Sequence, residues 1–201
     1  WARNDIPAYD VSQVSNNLIA LATETEIRLI SHAGALIDTV QIEDGVSLAA
    51  SPDGDVLAYT RGGLWRIDAT GTWSQAIDAE IPSESTGSRA VYAAEDGRIF
   101  LTNGTDLYAY SRLGTQVWGA DLPQAVSGRV EIYQYDDLVL LLSNHGNIIV
   151  AREGGGFCGY TRIYGNDDDR LWHDLGDDGI LRVIIGQQIL GLAWEQFNAG
   201  C

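Results

Sequence analysis

The stretch Asp96–Trp118, DGRIFLTNGTDLYAYSRLGTQVW, decides the fold. Two runs of four residues, Ile99–Thr102 and Leu107–Tyr110, are apolar, aromatic or β-branched and too short for helices. Asn103-Gly104 separates them, and a type I′ turn there, with positive φ at both centres, predicts an exposed hairpin. Asp96-Gly97 is a second turn, and Ala90–Ala94 ahead of it supplies another strand. Gly114 leads into a fourth extended run around Trp118. The unit is an antiparallel meander of four strands.

The same grammar recurs in both directions. Extended runs begin just after Asn17, Gly54, Gly97, Asp137 and Gly179, at intervals of 37, 43, 40 and 42 residues, the period of a repeat array. Val46–Ser51, Val56–Thr60 and Leu64–Ile67 flank the Asp53-Gly54 turn. Val130–Tyr135, Leu138–Ser143 and Ile148–Ala151 repeat the scheme, as do Leu171–Leu175, Ile180–Ile185 and Ile189–Ala193. No segment sustains a helical period. The last unit ends after its third strand, near Trp194. Trp1–Ala8 (WARNDIPA) matches the outer-strand stretch Thr115–Ala125 (TQVWGADLPQA), since each has a Trp followed by an apolar-Pro pair. Residues 1–8 are therefore expected to complete the last unit and close a ring, which removes open ends. The reading is all-β: one domain over 1–201, a five-bladed β-propeller of four-stranded antiparallel blades.

With those residues in view, Asp96–Trp118 resembles the blade repeat of quinoprotein-type propellers, with its LYAY strand and a Gly leading to Trp. Ser51-Pro52-Asp53-Gly54 resembles the turn of WD-like propellers. Such motifs mark a blade and leave the activity open.

Charge is the second clue. The formal net charge is −16, all 12 basic residues are Arg, and Asp outnumbers Glu 19 to 9. Self-repulsion on this scale destabilises a compact chain unless salt screens it. The composition resembles that of halophilic archaea and their viruses; an acidic exported protein of a GC-rich mesophile is the alternative. A nucleic-acid partner is disfavoured, because phosphate binding needs a basic surface. No run approaches the length of a membrane span, so no membrane insertion is expected. Trp1 in place of Met points to a cleaved precursor or a trimmed domain, and to export. Cys158 and Cys201 each follow a third strand, in the fourth and fifth units, and a disulfide between them is expected, with two unrelated thiols as the alternative.

Candidate chemistry is sparse. Asp167, Asp168 and Asp169 offer carboxylates for Ca²⁺, against the alternative of a solvated acidic loop. Turn acids recur at Asp53, Asp96, Asp136 and Asp177, as turn geometry alone would give. Asn103-Gly104-Thr105 matches an N-glycosylation acceptor, which would suit a surface glycoprotein, against the alternative of a bare type I′ turn that needs no glycan. His32, His145 and His173 have no zinc spacing. Three acids fall on innermost strands, Asp10, Glu131 and Asp174, the arrangement of arabinanase-type five-bladed glycosidases, which the chain resembles in blade number. Five-bladed rings of the tachylectin kind place a similar sugar pocket in every blade, and no polar side chain repeats here in that way. Trp65, Trp73, Trp118 and the other tryptophans fit packing between blades or a sugar platform.

The leading expectation is a non-catalytic extracellular adhesion or structural module on a cell surface, filament or virion. Its partners would be other protein subunits or surface glycans, and no cofactor is implied beyond the Ca²⁺ considered above. A glycosidase-like enzyme and a scaffold similar to quinoprotein-repeat assembly factors are the alternatives. Salt tests the charge argument. Screening shortens from ~10 Å at 0.1 M to ~3 Å at 1 M, so the melting temperature is expected to rise between those KCl concentrations. An unchanged value would favour the mesophile reading.

Overall fold

A computed structural model describes residues 10–15, 18–23, 25–42, 46–77, 88–162, 171–176, 178–185 and 188–193, excluding the side chains of 10–15, 171–173, 175 and 185. The first sheet comprises β1 (Asp10–Ser15), β2 (Leu18–Ala22), β3 (Glu26–Ser31) and β4 (Leu36–Gln41). The second comprises β5 (Ser47–Ala50), β6 (Val56–Thr60), β7 (Gly63–Ile67) and β8 (Trp73–Gln75). The third holds β9 (Ala90–Ala93), β10 (Ile99–Thr102), β11 (Asp106–Tyr110) and β12 (Gln116–Asp121). The fourth holds β13 (Val130–Tyr135), β14 (Leu138–Ser143), β15 (Asn147–Arg152) and β16 (Phe157–Arg162). In the fifth, β17 (Leu171–Leu175), β18 (Ile180–Ile185) and β19 (Gln188–Ala193) form a three-stranded sheet among the described residues. Every sheet is an antiparallel meander in chain order, and no helix occurs among the described residues.

The sheets stack face to face, and the second strand of each shows why. Alternate residues of β6 point opposite ways. Val56 and Ala58 pack with Leu18, Ala20 and Leu29 of the first sheet. Leu57 and Tyr59 pack with Ile99, Leu101 and Tyr110 of the third. In β10, Phe100 turns the other way, into a cluster with Ile132, Val139 and Leu141 of the fourth sheet. In β14, Leu138, Leu140 and Leu142 meet Leu181 and Val183 of the fifth. Strands buried on both faces lose the polar alternation of a half-exposed sheet and read as continuous apolar runs. The first strands β1, β5, β9 and β13 neighbour one another in that order, so the sheets fan out from a shared inner edge. The fourth strands β4, β12 and β16 are mostly exposed and form the rim.

Among the described residues, eight turns share one geometry, in which the fourth residue is a glycine at φ between 70° and 89° and its N–H donates to the carbonyl of the first. That is a type I turn followed by a left-handed residue, which glycine adopts without steric cost. The turns also seat one sheet on the next. A Cβ on Gly114 would stand 2.4 Å from the Ala76 carbonyl oxygen of the preceding sheet. Ion pairs cross the same seams: Arg112 reaches Asp53 at 2.5 Å, and Arg98 pairs with Glu153.

The expected hairpin at Asn103-Gly104 differs in the structure. Only Gly104 has positive φ, at 93°, and β11 starts at Asp106, so the connection is a three-residue loop and not a type I′ turn. Asn103 is 2% exposed; its Nδ2 donates to the Asp106 carboxylate at 2.9 Å, and its Oδ1 accepts from the Thr105 and Asp106 amides. The asparagine is thus a buried loop-organising residue, not the exposed glycan acceptor its sequence context implies. The first eight residues fall outside the described part, so ring closure is taken up below as a proposal.

Phe100 is fully buried between the third and fourth sheets, with its ring centroid 6.5 Å from Tyr92 and 6.2 Å from Trp118. Phe100→Ala is expected to destabilise by about 3–5 kcal/mol, and Val117→Ser on the exposed rim by less than about 0.5 kcal/mol. Urea denaturation measures both; equal effects would contradict the face-to-face packing.

Candidate functional site

At the first-to-second strand turns of the third, fourth and fifth sheets, these three sheets enclose a cleft of about 520 Å³. β9 contributes Tyr92, and the turn after it contributes Glu95 and Asp96. β13 contributes Tyr133, Gln134 and Tyr135, followed by Asp136, and Gly176 closes the far side. The ends of two side chains pack against Gly176, where a Cβ would stand 2.4 Å from the Arg182 guanidinium and 2.6 Å from the Asp178 carboxylate. Those two side chains form an ion pair, and its hydrogen bonds hold the Asp178 carboxyl down at about 2. Among the described residues, the lining has three phenols, three carboxylates and an amide, and no basic residue.

Alternation along β13 sorts its side chains. Val130 and Ile132 enter the core with the third sheet, while Glu131, Tyr133 and Tyr135 lie on the opposite face. The Tyr133 hydroxyl donates to Glu131 Oε2 at 2.7 Å, and Arg129 Nε stands 3.2 Å from Glu131 Oε1. Burial raises the Tyr133 pKa, and the hydrogen bond to Glu131, its charge and that of Asp174 raise it further. Burial likewise raises Tyr92, with Glu95 adding to the effect, while the Gln134 backbone amide hydrogen-bonds the phenol and opposes it. Both phenols are held neutral, as donors and aromatic surface rather than nucleophiles.

The turn acids divide by role. Asp53 faces Arg112 and Arg66, and Asp96 accepts from Arg98 Nε at 2.6 Å. Asp136 differs from every other described residue apart from glycine, because it alone has positive φ, 54°. Its turn has only two residues, between the paired Tyr135 and Leu138, where the corresponding turns of the second, third and fifth sheets carry a left-handed glycine.

Of the inner-strand acids, Asp10 opens β1, Glu131 is the second residue of β13, and Asp174 is the fourth of β17 and exposed. Glu131 and Asp174 both act on Tyr133, so the structure brings these two around one phenol. Glu131 is already engaged by Arg129 and Tyr133. Asp167, Asp168, Asp169, Asp177 and Cys201 lie outside the described residues. Cys158 occupies the bulge of β16 that the register skips, the position held by Val117 in β12 and Ile37 in β4, and packs on the fourth-to-fifth sheet core. His145 sits in the β14–β15 turn, its Nδ1 3.1 Å from Ser127 Oγ. Asn144 Oδ1 accepts from the Arg129 amide beside it, so this pair fastens the loop ahead of β13. Sequence reasoning missed the cleft, whose lining comes from three units about 40 residues apart.

Solved structures share this architecture. A Bacteroides caccae protein of unknown function superposes with a TM-score of 0.64 at 14% identity, over 90% of this chain and 70% of that one. KlHsv2 with its loop 6CD replaced by a Gly-Ser linker gives 0.67 at 9% identity, over 92% and 64%. The C-terminal WD40 domain of Sif2 gives 0.56 at 17%, over 90% and 56%. The fold is that of a β-propeller. At these identities the likeness extends to fold alone, and the chain spans 56–70% of the length of the three neighbours. No protein-family model matches the sequence, and no curated protein matches it.

The phenols give a pH signature. Tyr92 and Tyr133 lie above the ordinary value of about 10, and Tyr108, through burial and then Asp106, is pushed up to about 12. A raised acid contributes stability that is intact below the unfolded pKa and is lost as pH climbs through the folded one. Stability is therefore expected to fall as pH rises beyond about 10, with part of the phenolate absorbance near 295 nm appearing later in the native protein than in urea. Nine tyrosines titrating together near 10 in the native state would contradict these environments.

Proposed function

We propose that this chain is a non-catalytic binding module, an extracellular propeller that mediates adhesion or assembly on a cell surface, filament or virion and engages its partner at the cleft. The observation that carries this reading is the cleft itself, which is built from the turns of three blades and lined by aromatic and polar groups with its phenols held neutral. Partners are other protein subunits or surface glycans. The Lys-free, acidic composition supports a high-salt setting of the kind occupied by halophilic archaea and their viruses.

Two finer features belong to the same proposal. The ring has five blades and is closed by residues 1–8, added as the outer strand beside β19. In its support, the fifth sheet has three strands among the described residues, with β19 at its edge where the other sheets carry a fourth strand. A Cys158–Cys201 disulfide ties the fourth blade to the chain end, and the half-buried bulge position of Cys158 suits such a bond. Alkylation under denaturing conditions without reductant should leave the mass unchanged; uptake of two labels would remove the disulfide.

Turnover separates module from glycosidase. A retaining pair of carboxyls stands ~5–5.5 Å apart and an inverting pair ~6.5–9.5 Å, each with one free to exchange protons. Glu131 is instead held by Arg129 and Tyr133. No hydrolysis of aryl glycosides is expected at molar KCl. Hydrolysis abolished by Glu131→Gln or Asp174→Asn would establish the enzyme reading in its place.

A further inference from the structure

We infer that the cleft takes an organic cation, a guanidinium or ammonium group on an aliphatic stem. The inference rests on the binding-module reading and specifies its ligand. Three features of the cleft converge on a cation. Its aromatic surface is phenolic, and the faces of tyrosine rings attract cations over distances up to ~6 Å. Tyr135 is 39% exposed and lines the cleft at the end of β13 beside Asp136. Among the described residues the lining has no arginine, although Arg98 pairs with Asp96 of the lining and Arg182 stands against Gly176. Arg98 is turned onto Asp96 and Glu153, and Arg182 onto Asp178, so both guanidinium groups are neutralised by acids outside or at the edge of the cleft. The carboxylates of Glu95 and Asp136 face the remaining space.

Chemistry excludes the other simple ligand classes. An anion would meet the carboxylates of Glu95 and Asp136 and a molecule of net charge −16, without a basic side chain among the described lining residues. An apolar ligand would strip water from those carboxylates with no hydrogen bonds in return. A cation gains on both counts, through charge-assisted hydrogen bonds to the acids and through the rings. The volume of about 520 Å³ accommodates an arginine-sized group with room for its stem.

Asp136 gives the test its control. Its left-handed φ of 54° is costly for a residue with a Cβ, and asparagine or glycine adopts it more readily. Asp136→Asn keeps the turn and removes the charge, so it separates ligand binding from folding. Asp38, on the exposed rim strand β4, provides an Asp→Asn change with the same effect on net charge far from the cleft.

The experiment is calorimetric titration with agmatine and with a terminally blocked Gly-Arg-Gly peptide, at the lowest KCl concentration that maintains the native circular dichroism. Saturable one-to-one binding is expected, roughly tenfold weaker in Asp136→Asn and in Tyr135→Ala and unchanged in Asp38→Asn. Tighter binding of the peptide than of agmatine identifies the source as a side chain on a partner polypeptide; equal binding identifies the cationic group alone as sufficient. Absence of saturable binding, or equal weakening in Asp38→Asn and Asp136→Asn, overturns the inference. Either of those results with no glycoside turnover leaves the binding-module reading in place.

Discussion

Burial of both faces of the second strands β6, β10 and β14 is the constraint on which the rest of this structure depends. A four-stranded meander of some 40 residues has two faces and too little surface of its own to cover either. Val56, Leu57, Ala58 and Tyr59 are consecutive and all buried, and they divide between two neighbouring sheets. Leu138 to Leu142 repeat that division two sheets further along. No sheet is stable alone, and each finds its core only in the seams on either side. Burial at about 25 cal/mol per Å² of apolar surface makes these seams the main stabilising term. The seam ion pairs, partly exposed, add about 0–1 kcal/mol each.

Charge and function follow from that division of labour. With the interior given over to seams, polar chemistry is left to the turn end, where the first strands meet and the acidic turns cluster. Ordinary turns satisfy their acids locally or across a seam, as Asp53 does with Arg112 and Asp68 with the Thr70 and Thr72 amides. The fourth blade departs from this pattern by using a two-residue turn with a left-handed aspartate. That departure places Asp136 beside Tyr135, at the point where three blades open into a cleft. Added salt weakens the seam ion pairs and also the repulsion of an acidic surface. With a net charge of −16 the second effect is the larger.

Much of the architecture was legible because each strand carries its own signal. Ile99–Thr102, Leu138–Ser143 and Ile180–Ile185 match β10, β14 and β18 residue for residue, since continuous apolar runs between turn residues have few other readings. The glycine turns were legible for the same local reason. What sequence could not show was non-local or depended on a side chain's partners. Asn103 reads as a surface sequon, yet its amide completes a loop with Asp106 and is buried. The bulge holding Cys158 appears only through its strand register. The cleft joins Tyr92, Tyr133 and Gly176, which no local pattern links.

The fifth sheet ends at β19 among the described residues, where the other sheets carry a fourth strand, and residues 1–8 are the segment proposed to supply one. Removing those eight residues and measuring thermal stability is the most direct test. The closed-ring account predicts a loss of several kcal/mol and a clearly lower melting temperature, as for other losses of a buried strand. A melting temperature equal to that of the full chain would contradict it.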